Sequence, residues 1–237
     1  MIKYFRKFRY DLIEKNKTGK YLKYAVGEII LVVVGILIAL SINNWQQERQ
    51  NKKQEYRYIN DLVNDFKQDS IHLEELRLEA TITATAKDSI FKVINDLDYQ
   101  MDSLPNYFKL QWVGYKVFSP STSTIEEMKS SSHLEIISNP LLRKKIVKMY
   151  YAYDLFLQDE SLFMRANREV FTIAKDKLGN IDDNTQEEIK VLLEDKRLTN
   201  RLRKNFAKGR LKSLNNISEQ TTEILSELRE FLKIIDR

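Results

Sequence analysis

Side chains able to do chemistry are scarce in this chain of 237 residues, which has no Cys and two His, His72 and His133. Without Cys there is no disulfide, thiol nucleophile, Cys-ligated zinc, iron–sulfur cluster or lipoprotein anchor. The two His lack an HExxH-like spacing: His72 stands one position off a helical seam, and His133 lies in a Ser-rich turn before Leu134. Asp183-x-Thr185-x-Glu187, closing at Glu194, has the rhythm of a calcium loop, yet Glu188 stands where that loop needs its turn Gly. The Glu pairs at 74–75, 126–127 and 187–188 put adjacent carboxylates about 100° apart around a helix, which suits solvated faces rather than a shared acid/base site. There is also no Gly-rich phosphate loop and no GxSxG elbow. The expectation is a protein that is not an enzyme, with no catalytic residue, metal or cofactor.

Three other groupings suit binding. The run Lys196 to Lys212 holds eight Lys/Arg and no acid, so Arg197, Arg201, Arg203, Lys204 and Lys208 form a candidate patch for an anionic partner. Residues 61–79, with six acids against Lys67 and Arg77, are its complement, and the blander reading pairs the two surfaces within the fold. Nucleic acid is disfavoured, because aromatics that could stack on bases are sparse near the basic run. Leu104 to Thr124 combines Pro105 and Pro120 with Tyr107, Phe108, Trp112, Tyr115 and Phe118. It reads as an aromatic crossover loop, with Trp112, Tyr115 and Phe118 a candidate lip for a ligand or partner. Gly35 and Ala39 make a small-xxx-small pair, with Glu28 two turns earlier on nearly the same face, a candidate surface for helix association in a bilayer.

The elements that position these groups follow from composition and periodicity. With 43% apolar residues, 31% charged, six Gly and three Pro, the chain is ordered and helix-leaning. Its net charge of +5 is local, because residues 1–23 carry eight Lys/Arg against Asp11 and Glu14 and the remainder is slightly acidic. From Tyr24 to Ile42 the only charge is Glu28, and nineteen residues at helical rise cover about 28 Å, close to the hydrocarbon thickness of a bilayer. The expected organisation is a basic cytoplasmic tail at 1–23, a transmembrane helix at 24–43 and an exported, periplasmic helical domain at 44–237, whose aromatic loop occupies 104–124. Tyr21, Tyr24 and Trp45 would mark the interfaces, and Glu28 can snorkel to the nearer headgroups. Eight positive charges before the span against four between Asn43 and Arg57 place the N-terminus in the cytoplasm. A cleaved signal peptide ending near Ala39-Leu40-Ser41 is the competitor, opposed by the long basic region and by the Glu inside the apolar run. Within the tail, Ile2, Phe5, Phe8, Leu12 and Ile13 share one face, as in a basic interfacial helix.

Beyond Trp45 no breaker interrupts the polar run, so the span is expected to continue as a helical stalk. Ile59, Leu62, Phe66, Asp69, Leu73, Leu76 and Ala80 then step by threes and fours, a heptad seam with one polar interruption. The pattern weakens at 81–86 and resumes at Ile90, so one helix or two collinear ones run to about residue 98. Asn139-Pro140 is a helix start, and the stripe from Leu142 runs on to Leu178 before Gly179. Thr185-Gln-Glu-Glu188 reads as a capping box for a short helix, and a last helix begins near Leu198 and carries its seam to Ile235. The fold class is all-α: one transmembrane helix continuing into a stalk, and a bundle of three long helices plus short ones.

The run Lys17-Thr-Gly-Lys-Tyr-Leu-Lys-Tyr-Ala-Val-Gly-Glu-Ile-Ile-Leu-Val-Val-Val-Gly-Ile-Leu-Ile-Ala-Leu-Ser-Ile-Asn-Asn-Trp45 resembles the N-terminal signature of an uncharacterised family of single-span membrane proteins from Bacteroidota, a domain of unknown function. A weaker similarity covers Phe118 to Tyr151, through Thr124-Ile-Glu-Glu-Met, Leu134-Glu-Ile-Ile, Asn139, Leu142 and Tyr150-Tyr151. The chain departs from the family's pattern at Ser41, where members often have Gln, and at His133, where they often have Gly. The resemblance implies a didermal envelope protein with a periplasmic helical domain and brings no activity with it. The functional expectation is a non-enzymatic scaffold or accessory subunit in the inner membrane, associating with itself or with a partner membrane protein. A sensory or small-ligand-binding module is the alternative, and an envelope hydrolase has least support.

Overall fold

The computed structural model describes residues 18–112, 116–204 and 207–236. The interfacial helix expected within residues 1–17, the side chains of Tyr21 and Tyr24, and Tyr115 lie outside the described residues. Among those described every regular element is helical, so the all-α expectation holds. In chain order they are α1 (Thr18–Asn95), α2 (Leu104–Leu110), α3 (Ser123–Ser130), a 3-10 turn (His133–Ile136), α4 (Pro140–Leu178), α5 (Gln186–Leu193), α6 (Lys196–Lys204) and α7 (Ala207–Ile235). The chain divides into two compact units, residues 1–54 and 55–237.

The described part of the first unit is the beginning of α1. Its apolar window is long enough to cross a membrane, none of it is buried, and Leu31 is 73% exposed. A Cβ built on Gly27 or Gly35 meets nothing within 4 Å. Helix α1 then runs unbroken to Asn95, one helix rather than two. In the Thr/Ala stretch the hydroxyls find partners within the helix by bonding back one turn: Thr81 Oγ1 donates to the Arg77 carbonyl at 2.8 Å, Thr83 to Glu79 at 3.1 Å and Thr85 to Thr81 at 3.0 Å.

In the second unit the starts and stops are local chemistry. The Asn139 side chain accepts from the amides of Leu141 and Leu142, Pro140 opens α4, and Gly179 ends it at φ 70°. Thr185 and Glu188 form the reciprocal capping box of α5. The last helix, expected from near Leu198, is described as α6 and α7, and residues 205–206 between them lie outside the described residues. Residues 104–124 are not all loop, since α2 starts there with Pro105 in its first turn. The left-handed residue of the turn before Leu134 is Ser132, at φ 58°, one place ahead of His133.

Side-chain pairing gives the directions. Phe66 packs on Tyr150 and Tyr153, with ring centroids 5.3 and 6.2 Å apart, and Lys87 bonds Asn167, so α1 and α4 run the same way. Lys145 pairs with Glu227, Tyr153 with Thr221 and Glu160 with Arg210, so α7 runs back against α4. One apolar cluster joins Ile59, Leu62, Phe66 and Leu76 of α1 to Leu214, Ile224 and Leu228 of α7. A second gathers Ile90, Val93, Phe108, Trp112, Val170 and Leu198. Each large side chain so buried contributes about 1.5–3 kcal/mol.

Candidate functional site

A parallel α1 and α4 require a connection that returns along the bundle, and residues 116–139 make that return as a strap bound to carboxylates of α1. Going down α1 and along the strap, Glu79 pairs with Lys116 Nζ at 3.2 Å, and Asp69 Oδ1 accepts from the Ser121 amide at 2.8 Å. Glu127 Oε1 of the strap accepts from Arg57 at 2.8 Å and from the Tyr58 hydroxyl at 3.1 Å, and that hydroxyl lies 2.8 Å from His133 Nδ1. Glu55 Oε1 accepts from the amide and hydroxyl of Ser138 at 2.6 and 2.7 Å. The acidic face of residues 61–79 therefore holds the strap. The basic run at 196–212 reaches α1 farther along, where Lys208 pairs with Asp88 and Arg203 bonds Asn95. Asp69 is buried, and the loss of solvation raises its carboxyl to about 6 despite the Ser121 bonds. Burial also raises Asp65.

Between the two apolar clusters lies a buried polar layer. Glu160 receives both Nε and Nη2 of Arg210, at 2.8 and 2.9 Å, and both side chains are 2% exposed. Arg210 Nη2 also donates to the Lys116 carbonyl at 3.3 Å, which ties the strap to α7. Lys87, 2% exposed, donates to Asn167 Oδ1 at 3.1 Å. The Lys87 ammonium lies 5.4 Å and the Arg210 guanidinium 5.1 Å from the Phe163 ring. Burial, and secondarily the nearby Arg210 charge, lower the Lys87 amine to about 7. An amine near neutral pKa is a competent nucleophile or base when a substrate can reach it. Here it is packed between two cores, which suits a register lock.

With that geometry in view, the chain can be compared with known proteins. The family of unknown function DUF6090 matches residues 28–206, about three quarters of the chain. The chain belongs to DUF6090. Nothing matches it among curated proteins or among solved structures. The DUF6090 match takes in most of the apolar window, the strap, Lys87, Glu160 and Asn167, and it stops short of Arg210.

Within this DUF6090 chain the sequence-derived candidates fare unequally. Trp112 and Phe118 do not form an exposed lip. Trp112 is 8% exposed, edge-on to Phe108 and Phe171 at 5.7 and 5.4 Å in one cluster, whereas Phe118 packs on Tyr153 at 4.9 Å in the other. The basic patch is largely used internally: Arg201 pairs with Glu169, Arg203 bonds Asn95 at 2.8 Å, and Lys208 pairs with Asp88 at 2.8 Å. Arg197, Arg201 and Lys204 still border a surface groove of about 500 Å³ with Ala166 and Glu169. Glu28, Gly35 and Ala39 are exposed on α1. His72 stacks obliquely on Phe118 at 5.7 Å, and among the described residues no cluster of His, Asp or Glu could hold a metal ion. Lys87, Glu160, Asn167 and Arg210 went unrecognised from sequence although each continues a three-four seam: 80–83–87–90 on α1, 156–160–163–167–170 on α4, 210–214–217 on α7.

Proposed function

We propose that this protein is a membrane-anchored helical scaffold or accessory subunit without enzymatic activity. Residues 24–43 span the inner membrane once, the N-terminus is cytoplasmic, and residues 44–237 form a periplasmic domain, as in the single-span Bacteroidota proteins that its N-terminal run resembles. Its partners are a second copy or another membrane protein rather than nucleic acid. The observation that carries this reading is how the buried polar side chains are used. Glu55, Asp69, Lys87, Glu160 and Arg210 each bind another element of the same chain, so the interior chemistry is committed to holding the bundle and the outer faces carry the interactions. Photo-crosslinking in native membranes tests it, with a crosslinking residue at exposed Leu155, Leu162 or Val191. Discrete protein adducts from some of these positions are expected. Absence of adducts from all three would overturn the reading.

A sensory reading has one observation in its favour. Gln111 is fully buried, and both its amide atoms and the Trp112 Nε1 lack a hydrogen-bond partner among the described residues. A small polar ligand inserted there would satisfy them. A ligand-induced thermal shift in the wild type that Gln111→Leu abolishes would favour that reading.

A further inference from the structure

We propose that the opening turns of α4 are a docking face for an acidic amphipathic segment of a partner protein. This rests on the scaffold reading and names the partner's chemistry. Residues 140–153 contain Arg143, Lys144, Lys145 and Lys148 and no Asp or Glu. Cations at a helix N-terminus oppose the macrodipole, so helix stability does not account for them there. Lys145 is neutralised by Glu227 of α7. The side chains of Arg143, Lys144 and Lys148 make no ion pair or hydrogen bond among the described residues, whereas Arg201, Arg203, Lys208 and Arg210 of the run at 196–212 are each paired.

Apolar side chains stand among these cations. Leu141 is 73% and Tyr151 62% exposed, and Val147 is exposed beside them. At about 100° per residue, Leu141, Lys144, Val147, Lys148 and Tyr151 fall within one arc of roughly 120°. The face borders a surface groove of about 520 Å³, with Leu134 and Glu135 of the 3-10 turn on its other side. A groove along a helix, apolar at its base and positive at its rim, fits a helix with apolar residues at i and i+3 or i+4 and carboxylates flanking them. A flat anionic bilayer fits it less well, since Glu135 stands in the opposite wall.

The test uses the full chain in phosphatidylcholine nanodiscs and a fluorescent designed peptide of Glu and Leu with its Leu on one helical face. Saturable binding is expected, falling at least about tenfold in Lys144→Glu/Lys148→Glu and in Val147→Asp. It should return for the charge-inverted Lys/Leu peptide on the double variant, and stay unchanged in Arg197→Glu/Lys204→Glu. Matching circular-dichroism melts confirm that the variants are folded. Equal binding by wild type and double variant, or by a shuffled peptide lacking the apolar face, would overturn the proposal. So would binding of phosphatidylglycerol vesicles, or a changed oligomeric state, that is lost in the double variant while the peptide does not bind. Crosslinks from Leu155, Leu162 or Val191 that persist through such a failure leave the scaffold reading standing, and their absence from all three removes both.

Discussion

At the scale of single residues, two buried ionisable groups pull the stability of this domain in opposite directions with pH. Asp69 is raised by burial to about 6. A raised carboxyl stabilises the fold fully below its unfolded value, near 3.8, and that stabilisation is lost as pH rises through about 6, a change on the order of 3 kcal/mol. Asp69→Asn should therefore raise the melting temperature at pH 8 and have little effect at pH 4, because the amide oxygen can still accept from the Ser121 amide. Equal effects at both pH values would show that the carboxyl does not titrate in this window. Lys87 is lowered to about 7 by burial and by Arg210. Its contribution is complete above the unfolded value near 10.5 and is lost as pH falls through about 7, where the fold must hold a buried ammonium. Lys87→Met should be stabilising at pH 6 and nearly neutral at pH 10, with Tm against pH as the measurement. Lys87 also shows where the sequence misleads. It occupies the next seam position after Ala80 and Thr83, where the apolar pattern has weakened, and its partner Asn167 lies 80 positions away on another helix.

Among the elements, legibility follows how local the deciding chemistry is. The Asn139-Pro140 start, the Gly179 stop and the Thr185–Glu188 box are settled by atoms within a turn of one another, and the sequence alone identifies them. The strap is illegible for the opposite reason, since its bonds to α1 join residues 37 to 83 positions apart. For the same reason the basic run looked uniform, although Arg210 is a buried partner of Glu160 whereas Arg203 is exposed and bonds Asn95. Removing one partner of a buried ion pair costs about 3–5 kcal/mol, and an exposed polar contact contributes under about 1. Arg210→Ala and Leu228→Asp, the latter a charge placed at a fully buried seam position, should each unfold the domain or lower its Tm severely. Arg203→Glu should leave the melt within a few degrees of wild type. A circular-dichroism melt in which Arg203→Glu is the most damaging of the three would reverse this ranking. The proposed span would obey another rule, because lipid gives no hydrophobic drive between helices and small residues permit close backbone approach. Gly35 is open on α1. Gly35→Ile should abolish cross-linking between spans in native membranes, and unchanged cross-linking would remove Gly35 and Ala39 from any association face.

For the whole molecule, the deciding asymmetry is electrostatic and lies in the sequence on either side of the apolar run. Eight Lys/Arg precede the apolar run and four follow it closely, and membrane insertion retains the more positive flank in the cytoplasm. None of the apolar window of α1 is buried. A lipid environment for this window would remove some fourteen apolar side chains from water. Two measurements separate a retained span from a cleaved leader. Alkaline phosphatase fused after Arg237 should be active, because the enzyme needs export, while a fluorescent reporter that folds only in the cytoplasm should stay dark at the same position. The mature protein should also keep residues ahead of Lys23 and remain with the membrane after a carbonate wash. An inactive phosphatase fusion would invert the topology. A mature N-terminus mapped near Ile42 would make the apolar run a signal sequence, and would leave the helical domain a free periplasmic protein whose acidic-segment docking face could still be tested in solution.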